Sequence, residues 1–340
     1  MISDSILKAM FMKQAIMQAS TLIISGELVA IPTETVYGIG ANALNSTAVA
    51  KIFELKQRPT FDPLIVHIGS QSMLAEVAAL PLPPLAQKLI DRFWPGPLSI
   101  VVNKSSNIPD LVTAGMPSVA IRMPNHPITL ELLNQCQMPI AAPSANMFGA
   151  ISATTANAVQ QEFGSRCPFL LDGGPCSVGL ESTVISFLSE PPLLLRPGGI
   201  PLEEIQAVIG TVLIPDDQKQ QQLSPGRLNS HYAPRTPLYL LEDSIDTLKA
   251  KHPQAWAALI AHKKWQSLGP SSVSLAEDAS QLFESMRQLD QKNLDFIVAE
   301  PWVETGLGYA ISDRLKRASS GKIVYQPHKG FEVTAKENAS

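Results

Sequence analysis

The sequence predicts a two-domain α/β protein, on three observations. The chain has 340 residues, more than one ordinary hydrophobic core organises. Through residue 214, apolar strand-like runs alternate irregularly with amphipathic helical stretches, the pattern of a twisted mixed sheet with flanking helices. Residues 215–236 lack apolar periodicity and are rich in Gln, Asp, Pro and Ser; after them, 237–340 carry a β-α-β pattern that predicts a small Rossmann-like α/β domain.

The elements follow in order. Residues 10–24 have apolar positions at helical spacing and stop at Gly26. A buried strand at 28–31 runs into Pro32, and a short helix at 48–55 has Ser46 or Thr47 as its N-cap. Strands are predicted at 64–68, 98–102, 119–122, 139–142, 169–171, 183–187 and 193–195, and helices at 85–94 and from Thr154 or Thr155 to 163. Pro201 opens a helix with Glu203 and Glu204 in its first turn. In the second domain, strands at 238–241 and 296–299 alternate with helices at 245–251, 257–261, 276–289 and 309–318. The segment 215–236 reads as a linker. Its length and its His231-Tyr232-Ala233-Pro234 run predict a lid.

Composition narrows the function classes. A net charge of -4 shows no basic surplus for gripping nucleic acid, which leaves tRNA binding by this chain open. No apolar run approaches the ~18 residues of a membrane helix, and the N-terminus does not read as a secretory signal. Cys136, Cys167 and Cys176 are widely spaced, as reduced thiols in a cytoplasmic protein would be.

Four polar clusters sit at strand ends, where open α/β sheets place function. The first is the run from Pro32 to Gly38, with Thr33, Glu34, Thr35 and Tyr37. The second is Lys56-Gln57-Arg58-Pro59, with Asp62 and His67 downstream. Its cations suit either a helix C-terminus or a phosphate clamp. The third is Pro143-Ser144-Ala145-Asn146, with Ser152 beyond Gly149; small residues there let backbone approach a ligand. The fourth joins Asp172-Gly173-Gly174-Pro175, Glu181-Ser182-Thr183 and Arg196-Pro197-Gly198. Arg196 follows three leucines, and a guanidinium there wants an anionic partner. A Walker P-loop, an H-E-x-x-H helix and paired zinc cysteines are all missing from the sequence. Any triphosphate would therefore be held by separated basic side chains.

Taken together, these motifs resemble the YrdC-domain family, in its two-domain threonylcarbamoyl-AMP synthases. The resemblance continues through Ser224-Pro225-Gly226 and His231-Tyr232-Ala233-Pro234 to Gly306-Leu307-Gly308 and Asp313-Arg314-Leu315, so it spans nearly the whole chain. It implies a YrdC-like catalytic domain over 1–214 and a reaction of L-threonine, bicarbonate or CO2 and ATP, with Mg2+ accompanying ATP. The products are threonylcarbamoyl-AMP and pyrophosphate, the former passed to a separate transferase complex that modifies tRNA. The resemblance puts Thr35, His67, Arg122, the backbone of Ala142, and Ser182 around threonine. Around ATP it puts Lys56, Arg58, Asp62, Ser118, Ser144, Asn146, Ser152, Arg196 and Tyr232, with Lys56 and Arg58 as the catalytic cations. It assigns no protein ligand to the metal. Asp62 belongs beside a triphosphate only if it meets Mg2+ or a ribose hydroxyl. Two other readings stand beside this one: an RNA-binding YrdC-like factor without the activity, and an enzyme adenylating carbamoyl phosphate. The second lacks here the zinc-finger cysteines expected of it.

Overall fold

Strand ends decide where this chain puts its polar groups. The computed structural model describes residues 4–215, 232–261, 263–269 and 279–336. The chain divides into two units, Met1–Phe148 with Ser152–Arg227, and Gly149–Ile151 with Leu228–Ser340.

In the first unit, the sheet is built from β1 (Val29–Ile31), β2 (Gly38–Asn42), β3 (Ile65–His67), β4 (Leu98–Asn103), β5 (Ser118–Arg122), β6 (Ile140–Ala141), β7 (Phe169–Leu170), β8 (Thr183–Ser186) and β9 (Leu193–Arg196). Their order is β7-β1-β2-β6-β3-β5-β4-β8-β9, with parallel and antiparallel pairs mixed, as the irregular alternation predicts. One side is covered by helix Asp4–Ile24, whose Ile16, Ala19 and Ile23 pack on Val29, Ile31, Leu132 and Leu133. Their spacing of three and four residues makes one helical stripe. Truncating Ile23 to Ala would cost about 2–5 kcal/mol.

The helix begins at Asp4, ahead of the predicted residue 10. Helix Ser46–Lys56 is capped by Asn45, not by Ser46 or Thr47: the Asn45 Oδ1 accepts from Thr47 N at 3.0 Å and Ala48 N at 3.2 Å. Sequence reasoning missed β2 and helix Pro127–Cys136. The glycines of β2 read as turn, and Pro127 sits at the first helical position, where its absent N–H costs nothing.

The second unit holds β10 (Leu238–Leu241), β11 (Trp265–Leu268), β12 (Phe296–Ala299), β13 (Gly321–Gln326) and β14 (Gly330–Ala335), in the order β11-β12-β10-β13-β14. The first four run parallel; β14 returns antiparallel on β13. The Rossmann-like expectation therefore describes the parallel part, while the terminal hairpin was not foreseen. Of the predicted lid, 216–231 lie outside the described residues. Tyr232 lies in the core of the second unit, 1% exposed, its ring 5.5 Å from that of Phe283 and 5.3 Å from the Arg314 guanidinium carbon. Among the described residues, no helix is long and apolar enough to cross a membrane.

Candidate active site

Side chains alternate along a strand, so Ser118, Ala120 and Arg122 share one face of β5. Opposite Ala120 stand Ile65 of β3 and Val101 of β4; opposite Arg122 stands His67. Val184 and Leu195 join Ile65, Val101 and Ala120 in one apolar cluster. This face of the sheet is thus apolar in the middle and polar at its two ends. Ser118 and Arg122 mark those ends, about 13 Å apart along the strand.

At the Arg122 end, a buried guanidinium is gripped on three edges. Its Nη1 donates to Thr35 Oγ1 at 2.7 Å and its Nε to Gly96 O at 3.2 Å, while Nη2 lies 2.7 Å from Glu34 Oε2. A guanidinium has five N–H groups, so these contacts leave two for a ligand carboxylate. The turn that presents Thr35 is made by Thr33, whose Oγ1 accepts from Thr35 N at 3.1 Å and Val36 N at 3.2 Å and donates to Val36 O at 2.6 Å. His67 is buried beside Arg122, and its Nδ1 has no hydrogen-bond partner. Burial, helped by the Arg122 charge, takes its pKa down to about 3, so the ring is neutral at physiological pH. Ser182 shares a 2.7 Å hydrogen bond with Ser99 and accepts from Arg196 Nη2 at 3.1 Å. Arg196 also donates twice to Ser182 O, at 3.2 and 3.0 Å. Gly198 packs so closely on the backbone of Glu181, Ser182 and Thr183 that any Cβ would collide with it. Ala142 directly follows β6, its N–H bonded to Ile65 O at 3.0 Å.

The other end collects cations. Helix Ser46–Lys56 stops at Gln57, whose left-handed φ of 50° turns the chain so that Lys56 points inward and Arg58 follows. Arg58 Nη2 lies 2.9 Å from Asp62 Oδ2 and donates to Pro63 O at 3.0 Å; its Nε donates to Asp62 O at 3.2 Å. Burial pushes the Asp62 carboxyl up, and the Arg58, Lys56 and Arg196 charges pull it down. Lys56 is 1% exposed and its Nζ donates to Ser144 O at 2.5 Å and to Asn146 O. Burial and the Arg58 charge hold its pKa well below the usual ammonium range. Lys56 is therefore first a clasp on the Ser144–Asn146 turn. Ser118 lines a small cavity with Pro63, Leu64 and Val101. Ser152 donates to Glu181 Oε1 at 2.7 Å.

The site residues named from the sequence all lie in the first unit, except Tyr232. Three partners were missed. Glu34, Ser99 and Glu181 each hold a named side chain, and Glu34 and Glu181 stand inside motifs the sequence displayed. Pairing across such separations leaves no local signal.

Comparison with known proteins agrees with this layout. The Sua5–YciO–YrdC family model, described as telomere recombination, matches residues 21–198. The model described as the threonylcarbamoyl-AMP synthase C-terminal domain matches residues 200–320. The threonylcarbamoyl-AMP synthase of Bacillus subtilis is 41% identical over 326 residues, 91% of this chain and 94% of that protein. That of Pyrococcus abyssi is 42% identical over 321 residues, 90% of this chain and 94% of its own length. A crystal structure of P. abyssi Sua5 complexed with L-threonine superposes with a TM-score of 0.84 at 42% identity, covering 89% of this chain and 94% of that one. The chain belongs to the Sua5–YciO–YrdC family, as a two-domain member carrying the threonylcarbamoyl-AMP synthase C-terminal domain.

Proposed function

We propose that this protein is an L-threonylcarbamoyladenylate synthase, a nucleotidyltransferase that makes threonylcarbamoyl-AMP and pyrophosphate from L-threonine, bicarbonate or CO2, and ATP. The observation that carries this reading is the sheet face with one guanidinium end and one cationic end on either side of an apolar strip. The threonine-bound relative at 42% identity supports the substrate.

Arg122 offers its two remaining N–H groups to the amino-acid carboxylate. Thr35, Ser182 and the neutral His67 offer hydroxyl and imidazole groups to the threonine hydroxyl, and Ala142 offers backbone. Threonine and bicarbonate condense, with loss of water, to N-carboxy-threonine. Its new carboxylate oxygen bonds to the α-phosphorus of ATP as the bond to the β-phosphate oxygen breaks, and pyrophosphate takes the electron pair. Arg58, beside Lys56, and Arg196, which is bonded to Ser182, stabilise charge growing on the phosphates. Ser118, Ser144, Asn146 and Ser152 supply polar contacts to the nucleotide, and the apolar strip gives its base a dry surface. Tyr232 is the second unit's contribution to the nucleotide contacts in this reading.

Mg2+ fits as a companion of the triphosphate, not as a resident of a protein cage. Among the described residues, no three His, Cys, Asp or Glu side chains gather into a site, and the carboxylate at this end, Asp62, is ion-paired with Arg58. When bound, the ion supplies charge neutralisation on the phosphate oxygens, with Asp62 the side chain in reach. The product would go to a separate transferase complex acting on tRNA, in the cytoplasm where its substrates are.

Labelled bicarbonate tests the reading. With threonine and Mg-ATP, label is expected in a threonine- and AMP-containing product, one per pyrophosphate released. Turnover with carbamoyl phosphate in place of threonine and bicarbonate would overturn it.

A further inference from the structure

Helix Asp4–Ile24 carries two apolar stripes, and the fold uses one of them. Ile16, Ala19 and Ile23 face the sheet. A surface helix with one buried stripe normally sets charged and polar groups on its opposite side. Here that side holds Leu7, Met10, Gln14, Met17, Thr21 and Ile24, and all six are exposed. Ile6 and Phe11 flank them. Exposure is 59% at Met10, 63% at Phe11, 54% at Met17 and 55% at Ile24. The charged residues between positions 6 and 24 are Lys8 and Lys13, and neither stands in the stripe.

The spacing says what would cover it. From Leu7 to Ile24 the steps are three and four residues in strict alternation. That repeat is the seam of a left-handed helix pair, in which each side chain enters a hole on a facing helix. A lipid surface would ask for a helix with a strongly charged face opposite the apolar one, and here the opposite face is spent on the core. A partner chosen by charge would ask for charge on the seam. The facing surface is therefore another apolar 3-4 helix, which a second copy of this chain supplies.

The area is sufficient. A Phe side chain offers roughly 150–250 Å², so Phe11 and its five apolar neighbours, each about half exposed, present on the order of 600 Å². That is as large as the largest apolar patch of an ordinary monomer, about 300–600 Å². Two copies face to face would bury about 1,200 Å² in total, the lower bound of specific, stable interfaces.

The fold also sets the orientation. Residues 6–11 are exposed throughout, whereas Ile16, Ala19 and Ile23 are buried, so the helix reaches past the body at its amino end. Antiparallel pairing lays each free end along the anchored end of its twin and keeps the two bodies apart. It also matches the whole seam, Leu7 to Ile24, Met10 to Thr21 and Gln14 to Met17, under one two-fold axis. We propose that the exposed stripe of helix Asp4–Ile24 is the interface of a homodimer, its two helices packed antiparallel. The proposal requires nothing of the reaction assigned to the first unit.

Sedimentation velocity of the full chain from about 1 to 100 μM tests it. Dimer is expected to predominate at the upper end. Met10→Glu and Met17→Glu put a carboxylate into the seam at exposed positions, so the core, followed by near-ultraviolet circular dichroism, should stay intact. Each should raise the dimer Kd at least tenfold. An equal mixture of Met10→Cys and Thr21→Cys chains should oxidise to a disulfide-linked pair that neither chain forms alone. A wild type that is monomeric at the upper concentration would overturn the proposal, whether or not it floats with anionic phospholipid vesicles. So would a dimer that survives both glutamates, a linked pair from either cysteine variant alone, or none from the mixture.

Discussion

Arg122 and Glu34 form a buried pair whose side chains are only 4% and 6% exposed. Arg122→Met removes the guanidinium and leaves the Glu34 carboxylate in the interior without its counter-charge. Breaking a buried pair from one side costs about 3–5 kcal/mol. For a unit of this size, each kcal/mol lowers the melting temperature by roughly 2–4 °C, so a fall of roughly 6–20 °C is expected. Glu34→Gln in the same chain removes the stranded charge. The double variant should be more stable than the sum of the single losses by at least about 2 kcal/mol. Urea denaturation of the wild type, both single variants and the double variant measures this coupling. Losses that add to within about 0.5 kcal/mol would refute the pairing argument. The surviving folded Arg122→Met should need roughly 10- to 100-fold more threonine, the worth of about 1.5–3 kcal/mol from charged hydrogen bonds.

Further expectations follow from the same geometry. His67 is held at about 3 in the fold against 6.5 in the unfolded chain. The unfolded state therefore takes up a proton the fold refuses, and stability is lost as pH falls below 6.5. The slope is up to about 1.4 kcal/mol per pH unit. Between pH 6.5 and 5, the wild type should lose roughly 2 kcal/mol more than His67→Gln in urea titrations; equal losses would contradict the burial account. Lys56→Met strands the Ser144 and Asn146 carbonyls, each at about 1–3 kcal/mol, and should lower stability and turnover together; unchanged denaturation would remove the clasp. A pocket that reads the threonine hydroxyl should leave serine a poor substrate, down by about 1–3 kcal/mol for one methyl, and valine nearly inert, down by about 10⁴-fold. Comparable turnover with valine would remove Thr35 and Ser182 from the pocket.

Much of this was legible because strand ends advertise themselves. The apolar run into Pro32, the leucines before Arg196 and the Lys56–Arg58 pair after a periodic helix all mark places where chain direction changes and polar groups collect. What escaped was long-range pairing. Glu34 reads as one more polar residue in a threonine-rich turn, and only the register of β3 and β5 brings His67 beside Arg122. Ser99 is one serine in an apolar strand until β4 and β8 pair. The sequence shows the charge of Lys56 at a helix end, but not the two carbonyls it also holds. Strands β13 and β14 went unread because their mixed polar composition suits an exposed hairpin, without the apolar run of a buried strand.

The central claim is that one sheet face holds threonine at its Arg122 end and ATP at its Arg58 end. Isothermal titration of each ligand against Arg122→Lys and Arg58→Gln tests it most directly. The account predicts a crossed result. Arg122→Lys weakens threonine at least tenfold and leaves a non-hydrolysable ATP analogue unaffected, and Arg58→Gln does the reverse. Loss of both ligands in either folded variant, or of neither, would contradict it.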